Sequence, residues 1–427
     1  MDAALRDIRP FEVCSIRPPT ENYSLTFRLT RNCYWNKCKF CPVYKFGAKF
    51  SKRDIKEIKE DIKRARRIDD LMFDEGITGL TQFGTDYDRL EEILLRIERV
   101  QGTDTEPNVP PSVPAGLDQR LQWFLPWFKE SPRLYDSFHH VFAWRAGGVK
   151  TCFLGDADSL ILKPDTLRET IQTVKDHFPT IERFTVYGRT RSAARLRSME
   201  ELKEYHRAGL DRVHFGLESG SDAVLKFMSK GVTKAGHIEG LLKTRQAEIS
   251  CSVYLMPGLG GQTLSEQHAG ESAEVVTKTA PDYVRLRSLQ IFPQTPLEDA
   301  VKRGEFVEAD EETLAREIRI MVEEIGSRTE ILSDSASNLL DINGILPEDR
   351  AAMLSEIDSY LMLSERDKLL FSLKSRMNSF INQYGGLSQD IYDCMAPHIS
   401  GGRIDPSSAT NEELKRIIGL IRSKLMP

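Results

Sequence analysis

The sequence is poor in long apolar runs, and its first residues do not resemble an export leader. No uninterrupted apolar run approaches the ~18 residues that a spanning helix needs. The first residues, MDAALRDIRPFEVC, lack an apolar leader core and carry acidic residues early, which argues against export. These absences lead us to expect a cytoplasmic protein without a transmembrane segment.

The chain also lacks the basic excess of a general nucleic-acid binder. Its 427 residues carry a formal net charge of −5, whereas nucleic-acid binders usually have a surplus of lysine and arginine. Hydrophobic residues make up 40% and charged residues 29% of the chain, which is ordinary for a globular protein. We therefore do not expect a nucleic-acid partner.

Cysteine is scarce, and most of it is scattered. Of the seven cysteines, four are isolated: Cys14, Cys152, Cys251 and Cys394. An isolated free cysteine is commonly a small buried hydrophobic residue. The other three lie close together, at Cys33, Cys38 and Cys41. In a reducing compartment, such clustering indicates metal or redox chemistry rather than disulfides.

Short strand-like runs alternate with helical patterns, which is typical of βα units and a parallel sheet. Six strands are predicted, at residues 24–29, 149–154, 183–187, 212–216, 250–256 and 283–290. Six units are too few for a closed eight-stranded barrel, so we expect an α/β fold with an open or partial barrel. In such sheets the chemistry gathers at the carboxyl ends of the strands.

The alternation of strand and helix patterns predicts three regions along the chain. Residues 1–23 form an N-terminal extension and residues 24–300 the partial barrel. After about Val301 the strands are expected to stop, so residues 301–427 are predicted to form a C-terminal helical region. An insertion at about residues 100–148 is rich in proline and aromatics. Two interpretations stay open: a helical subdomain that buries its own aromatics, or a lid over an apolar substrate.

The three clustered cysteines lie in the segment TRNCYWNKCKFCP, residues 30–42. Four residues separate the first pair of cysteines and two the second. Three thiolates on one short loop can bind three corners of a cubane cluster, which leaves the fourth iron without a protein ligand. A structural zinc site and an electron-carrier cluster both normally need four protein ligands, and the nearest histidines are His139 and His140.

This loop resembles the cluster loop of the radical S-adenosylmethionine (SAM) superfamily. Its first gap of four residues is one longer than the usual one and is similar to that of some subgroups. The resemblance implies a [4Fe–4S] cluster on Cys33, Cys38 and Cys41, with SAM as second cofactor. Phe40 occupies the place of the aromatic residue that precedes the last cysteine in the family, and it is expected to pack near the SAM adenine.

Further motifs resemble the family's SAM contacts. The segment Gly155-Asp156-Ala157-Asp158 stands where the family has a turn that contacts the methionyl amino group, and either Asp156 or Asp158 is the expected acceptor. The segment from Gly216 to Asp222, which contains Ser219, is similar to the ribose-contacting segment of radical SAM methylthiotransferases and oxygen-independent coproporphyrinogen oxidases. Glu218 would then bind the ribose hydroxyls, and Lys230 would pair with the SAM carboxylate.

The last motifs concern the adenine. The segment from Met256 to Gln262, which contains Gly258, resembles the family's glycine-rich adenine turn. Glycines are needed in such a turn because the backbone approaches the ligand closely. Leu289, Ile291 and Phe292 match the family's final adenine contact. The resemblance covers roughly residues 20 to 345, and residues 334–349 look like the tail of a largely uncharacterised radical SAM subgroup.

The resemblance implies an oxygen-sensitive enzyme that cleaves SAM reductively to methionine and a 5′-deoxyadenosyl radical, which takes hydrogen from a substrate. The electron would come from a flavodoxin or ferredoxin-type partner that docks on the basic residues following the cysteine loop, or these residues are an ordinary solvated helix face. They are Lys45, Lys49, Lys52, Arg53 and Lys56. The substrate is expected to be a small molecule, lipid or peptide, apolar or anionic. The arginine run at 189–197 would suit an anionic one. A non-catalytic iron–sulfur carrier or sensor and a zinc-stabilised interaction protein are the competing hypotheses.

Overall fold

The computed structural model describes residues 5–14, 16–45, 49–78, 83–102, 120, 132–400 and 403–425. Within these ranges no helix is both long and apolar enough to span a lipid bilayer. The aromatic residues Trp123, Phe124, Trp127 and Phe128 of the predicted insertion lie outside the described residues.

An eight-stranded sheet organises the chain, with its strands hydrogen-bonded in the order of the sequence. The strands are β1 Leu25–Arg28, β2 Thr151–Gly155, β3 Arg183–Gly188, β4 Leu210–Glu218, β5 Ser250–Leu255, β6 Tyr283–Leu286, β7 Thr329–Leu332 and β8 Gly344–Leu346. Strands β1 to β7 are parallel, and β8 pairs antiparallel with β7. No pairing joins β1 to β8 among the described residues, so the predicted α/β fold with an open, partial barrel is confirmed.

Fifteen helices of the described chain surround this sheet. They are α1 Ile55–Asp74, α2 Phe83–Gln101, α3 Leu134–Ala146, α4 Pro164–His177, α5 Thr190–Leu196, α6 Met199–Ala208, α7 Asp222–Phe227, α8 Lys234–Gln246, α9 Ser265–Thr279, α10 Pro296–Lys302, α11 Glu311–Glu324, α12 Arg350–Leu361, α13 Glu365–Tyr384, α14 Gln389–Met395 and α15 Asn411–Arg422.

Local sequence explains where the helices begin and which face they bury. Ser198 caps α6 together with Glu201 in a reciprocal capping box, as the spacing of the two residues predicts. In α1, Ile58, Ile62 and Ala65 recur at helical spacing and are fully buried. Burying each of the isoleucine side chains contributes about 1.5–3 kcal/mol. The strands are buried on both faces, as expected for a parallel sheet covered by helices.

The N-terminal segment packs against the sheet through polar contacts. The Glu21 carboxylate is fully buried and accepts hydrogen bonds from Ser24 and Arg183, and it lies 3.5 Å from the His214 ring. Arg285, also buried, donates to Thr20. Because His214 and Arg285 belong to β4 and β6, this segment is tied to the middle of the sheet.

The prediction that strands stop after about Val301 is wrong. β7 and β8 both follow that residue and extend the sheet. β7 was missed because its four residues, TEIL, are two polar residues followed by two apolar ones, which is neither an apolar run nor an alternation. Beyond β8 the chain is mostly helical, and α13 to α15 share a core of their own around Leu373, Phe380 and Ile417.

The described part of the predicted insertion packs as ordinary core. A helix, α3, begins two residues after Pro132, where the spacing of apolar residues predicted one. Its Phe138 and Trp144 side chains are buried, and the Trp144 ring contacts Phe178 edge-on. The His140 Nε2 atom accepts a hydrogen bond from the Thr26 amide of β1 at 2.8 Å. For residues 132–148, the interpretation as a helical unit that buries its own aromatics agrees with this packing.

Candidate active site

A cavity of about 230 Å³ lies where the parallel strands end. The cysteine loop forms one side of it, and the residues that follow β2, β3, β4, β5 and β6 form the rest. Among the predicted site residues, those that line it are Cys33, Cys38, Cys41, Phe40, Glu218, Lys230, Leu289 and Phe292. The carboxyl ends of neighbouring parallel strands meet at one edge of a sheet, which explains how segments distant in sequence converge here.

The cysteine loop is held by a buried carboxylate at its start. Asp156, which follows β2, accepts a hydrogen bond from the Asn32 amide at 3.2 Å and from the Arg28 guanidinium at 2.9 Å. Its other oxygen accepts from the Cys14 thiol at 3.3 Å. Asn32 itself has a left-handed backbone and accepts from the Cys33 amide at 2.7 Å. Asp156 therefore joins β1, the N-terminal segment and the cysteine loop.

The cluster thiols sit in a partly dry, positively charged environment. Burial raises the pKa of Cys38, and the nearby Lys230 ammonium and Arg189 guanidinium oppose that rise. Burial raises the pKa of Cys41 to about 11. Within the described ranges no three histidine, cysteine or acidic side chains converge closely enough to hold one metal ion. Three thiolates on one loop are the donor set of a cubane cluster with one open iron, whereas a structural zinc site normally takes four protein ligands.

Glu218 and Lys230 form an ion pair on the cavity wall, with 3.0 Å between Oε1 and Nζ. Glu218 has a positive φ of 67°, which is uncommon for a non-glycine residue, and β4 is irregular between Gly216 and Glu218. A Cβ atom at Gly216 would collide with the Glu218 carboxylate and reach 3.0 Å from the Lys230 ammonium. The glycine at 216 therefore lets this pair lie flat against the strand.

The loop that carries Lys230 is docked on the cysteine loop through Trp35. The indole nitrogen of Trp35 donates to the Ser229 carbonyl at 2.8 Å, and its ring covers Gly231 so closely that no Cβ atom would fit there. The Arg189 guanidinium lies over the same ring at 4.9 Å and donates to the Lys230 carbonyl. These contacts couple the position of Lys230 to that of the cysteines.

Neither predicted acceptor for the methionyl amino group lines the cavity. Asp156 is engaged as described above. Asp158 accepts from the Ser192 hydroxyl at 2.5 Å and the Arg189 amide at 3.2 Å, and burial raises its pKa to about 6. The residue of this turn that does face the cavity is Ala157. Gly155 is packed against the Cys14 side chain. In this geometry the turn presents Ala157, not a carboxylate, to the cavity.

Three other predicted residues lie behind the cavity wall. Ser219 is fully buried and hydrogen-bonds to the His268 ring at 2.8 Å. The Gly258 amide donates to Glu317 at 2.6 Å, and its φ of 89° suits glycine. Ile291 packs in a small apolar cluster with Phe40 and Met256. None of these three is among the residues that line the cavity.

Sequence reasoning did not identify several residues that do line the cavity. They are Ile16, Tyr44, Tyr187, Tyr254, Arg287 and Gln290, together with Arg189, which was noted only as part of an arginine run. The residues of this arginine run do not lie together at the cavity. Arg195 is exposed near Glu239, and Arg197 lies near Glu201. Gln290 sits between two adenine-motif residues and was the one most open to prediction. Arg120, from the insertion, lies over the Phe292 ring at 3.9 Å.

The fold and this cavity define the class of protein. Residues 138–271 match the family model of the Radical SAM superfamily, so the chain carries a radical SAM domain. That superfamily consists of enzymes whose cofactors are a [4Fe–4S] cluster and SAM, and the family and cofactor predictions are thereby confirmed. The matched segment begins after the cysteine loop. Along the chain, helices α1, α2 and α3 lie between that loop and β2. No curated protein matches the chain in sequence.

Several solved structures are distantly similar to the chain. Methylornithine synthase (PylB) is 13% identical over 84% of this chain and 80% of that chain, with a TM-score of 0.39. The archaeal Methanocaldococcus infernus Elp3 is 17% identical over 49% and 53%, with a TM-score of 0.36. The radical SAM methyltransferase TsrM from Kitasatospora setae is 13% identical over 65% and 39%, with a TM-score of 0.38. The chain thus spans about half of Elp3 and less of TsrM.

Proposed function

We propose that this chain is a radical SAM enzyme that abstracts hydrogen from a small-molecule substrate. The supporting observation is that all three loop cysteines, Glu218 and Lys230 line one cavity. With both cofactors bound, one electron from outside cleaves SAM to methionine and a 5′-deoxyadenosyl radical, which takes a hydrogen atom from the substrate and becomes 5′-deoxyadenosine. The chain's own residues bind, orient and shield these partners.

The residues on the cavity wall divide into polar and apolar groups with separate roles. Cys33, Cys38 and Cys41 would hold three irons of the cluster. The Lys230 ammonium would pair with the SAM carboxylate, and Glu218 would accept hydrogen bonds from the ribose hydroxyls. Both side chains are largely buried, where charge-assisted hydrogen bonds are strong because little water competes for them. Phe40, Leu289 and Phe292 supply apolar surface for the adenine.

A primary carbon radical must be kept away from water and reactive side chains. The walls of the cavity are mostly apolar or buried, with Tyr44, Tyr254, Leu289 and Phe292 among them only slightly exposed. Burial raises the pKa of Tyr254 to about 12, so its phenol stays protonated. These groups would restrict water at the place where the radical forms.

The electron would come from a flavodoxin or ferredoxin-type protein. Lys37, Lys49, Lys52 and Lys56 are exposed around the cysteine loop and the start of α1, and an acidic protein would be attracted to them. Arg53 does not belong to this surface, because it is buried and paired with Asp61 at 2.8 Å.

The test is SAM cleavage by anaerobically reconstituted and reduced protein. We expect 5′-deoxyadenosine and methionine to appear, and we expect Cys38→Ala to abolish both together with the cluster absorbance. Cys394→Ala is the matched control, because Cys394 packs among the C-terminal helices and its substitution should leave activity and iron content unchanged. Wild-type protein that holds an intact cluster and still releases no 5′-deoxyadenosine would refute the proposal and favour a non-catalytic carrier.

A further inference from the structure

A second and larger cavity, of about 750 Å³, opens beside the one that contains the cysteines. Its walls come from the N-terminal segment, the ends of β5 and β6, residues 333–341 and helix α13. Tyr254 and Arg287 line both cavities, so the two spaces meet at these residues. We call the larger space the polar cleft.

The lining of the polar cleft is hydrophilic. Only four of its residues are apolar: Pro19, Ala336, Leu339 and Phe371. Amides and hydroxyls make up most of the rest: Asn22, Tyr254, Ser333, Ser335, Ser375, Asn378, Ser379, Asn382 and Gln383. An apolar occupant would strip water from these groups without replacing their hydrogen bonds, at a cost of about 1–3 kcal/mol for each one left unpaired. The cleft is therefore suited to a hydrophilic molecule.

Positive charge lies where the polar cleft meets the cysteine cavity. Arg287 is shared by both spaces, and Arg17 follows Ile16, which lines the cysteine cavity. Arg17 donates to the Cys14 and Asn22 carbonyls at 3.2 and 3.4 Å. Within the described chain no carboxylate is at ion-pair distance from Arg17, and its buried Nε atom has no hydrogen-bond partner. A carboxylate or phosphate would satisfy this guanidinium bidentately.

The carboxylates of the polar cleft have interactions of their own. Asp334 is paired with the buried Arg285. Glu356 and Asp341 influence each other: burial and the Asp341 charge raise the pKa of Glu356. These two acids can accept hydrogen bonds from amino or hydroxyl groups of an occupant. The combination of cations, acids and amides matches a molecule that carries an oxyanion and further polar groups.

The wall formed by residues 333–341 is rigidly supported. The Asn338 side chain accepts from the Ser288 amide at 2.9 Å and donates to the Leu286 carbonyl at 2.8 Å. Arg376 of α13, fully buried, donates to the Ser337 and Asn338 carbonyls at 2.8 and 2.9 Å. A site whose walls are fixed before binding loses less entropy on binding. This wall also contains the start of residues 334–349, the stretch that resembles the tail of a radical SAM subgroup.

We propose that the polar cleft is the substrate site and that it takes a hydrophilic small molecule whose carboxylate or phosphate binds at Arg17 and Arg287. This inference rests on the proposed radical SAM function, because the cleft adjoins the cysteine cavity at Tyr254 and Arg287, which line both. It replaces the broader expectation of an apolar or anionic substrate with a polar, anionic one.

The test is equilibrium binding of two probe anions to the cluster-loaded protein without reductant. Inorganic pyrophosphate reports on phosphate recognition and citrate on carboxylate recognition, so the two arms distinguish the sources of the oxyanion. We expect saturable binding of at least one probe, weakened at least tenfold by Arg17→Gln, since a hydrogen bond to a charged group contributes about 1.5–3 kcal/mol. Arg195→Gln, an exposed arginine outside both cavities, should bind like wild type.

Two further variants keep the test decisive if Arg17→Gln folds poorly. Arg17→Lys retains the charge and should recover part of the binding. Lys374→Gln removes an exposed cation of the polar cleft and should weaken binding about threefold, as expected for partly screened charge. If neither probe binds saturably, or if a folded Arg17→Gln binds like wild type, the inference is overturned. SAM cleavage by wild type is measured separately, so its failure alone counts against the proposed function and not against the anion site.

Discussion

Glu317 of α11 shows how a carboxyl behind the active-site wall can govern stability. It is fully buried, and it accepts a hydrogen bond from the Gly258 amide at 2.6 Å. The His268 ring lies 3.9 Å away and is itself held by Ser219 and the Met256 carbonyl. Burial raises the pKa of Glu317 to about 7. The residue thus supports the glycine-rich turn from below, and its carboxyl changes protonation state near neutral pH.

This raised pKa predicts a loss of stability as the pH increases. The ordinary pKa of 4.5 applies to the unfolded chain and the value of about 7 to the folded one, so between these values the folded state binds more protons. The contribution is complete below about pH 4.5 and is lost as the pH rises through about 7, at about 1.4 kcal/mol for each pH unit between the two values. Glu317→Gln keeps an acceptor for the Gly258 amide and removes the titration.

The measurement is urea unfolding of wild type and Glu317→Gln between about pH 5 and 8. As the pH rises across this window, we expect the unfolding free energy of wild type to fall by about 2–3 kcal/mol relative to that of Glu317→Gln. His268, whose pKa is lowered to about 4 by burial, remains in both proteins and does not affect the difference. Parallel pH profiles would show that Glu317 ionises normally.

At the same scale, the sequence predicts which residues share the cavity but not the neighbours that support them. The three cysteines, Glu218 and Lys230 occur in recognisable order and line one cavity. The supporting contacts of Trp35 with Gly231 and of Asp156 with Arg28 join residues more than a hundred positions apart. Such pairs leave no local pattern, because they depend on which strand ends meet in the fold.

Among the elements, the cysteine loop depends on β1 and β2 for its position. The Arg28–Asp156 pair is buried, at 2.9 Å between Nε and Oδ2, and Asp156 also holds the first residue before Cys33. Removing one partner of a buried ion pair typically costs about 3–5 kcal/mol, because the remaining charge is left without compensation. The loop should therefore lose its fixed start when this pair is broken.

We expect Asp156→Asn to reduce iron retention and lower the free energy of unfolding by about 3 kcal/mol. Iron and sulfide analysis after anaerobic gel filtration, together with urea unfolding of the cluster-free protein, would measure both effects. Asp165→Asn is the matched control, since that carboxylate is exposed and pairs with Arg168 on the surface of α4. Full iron content in Asp156→Asn would mean that the loop is positioned by its other contacts.

The elements themselves were predicted unevenly, for physical reasons. The six predicted strands lie in segments rich in apolar residues, as expected for buried parallel strands. β7 and β8 were missed, since β7 is defined by its pairing with β6 and β8, and the edge strand β8 by its pairing with β7. The division of the chain at 23 and 300 stays a prediction, and β7 and β8 extend the sheet past its second boundary.

At the scale of the whole molecule, the described chain contains two larger apolar cores besides the small cluster that includes Phe40 and Met256. The larger one surrounds the sheet, and the smaller one is formed within α13, α14 and α15. Ion pairs connect these helices to the rest, with Lys368 to Glu312 at 2.8 Å, Arg422 to Glu308 at 3.0 Å and the buried Arg376 to Glu311 at 2.9 Å. A polar junction of this kind couples two cores less tightly than an apolar one.

We therefore expect the helices of the smaller core to open before the sheet does. In hydrogen exchange at increasing urea, amides of residues 365–422 should lose protection first, and amides of β3 to β5 last. Raising the ionic strength from about 0.1 M to about 1 M shortens the screening length from about 10 Å to about 3 Å. Higher ionic strength should therefore weaken the more exposed ion pairs and separate the two unfolding transitions further. The buried pair of Arg376 and Glu311 is screened less. Coincident transitions at both salt concentrations would mean that Arg376 and its carbonyl partners join the cores into one cooperative unit, and the polar cleft between them would then be part of a single rigid body.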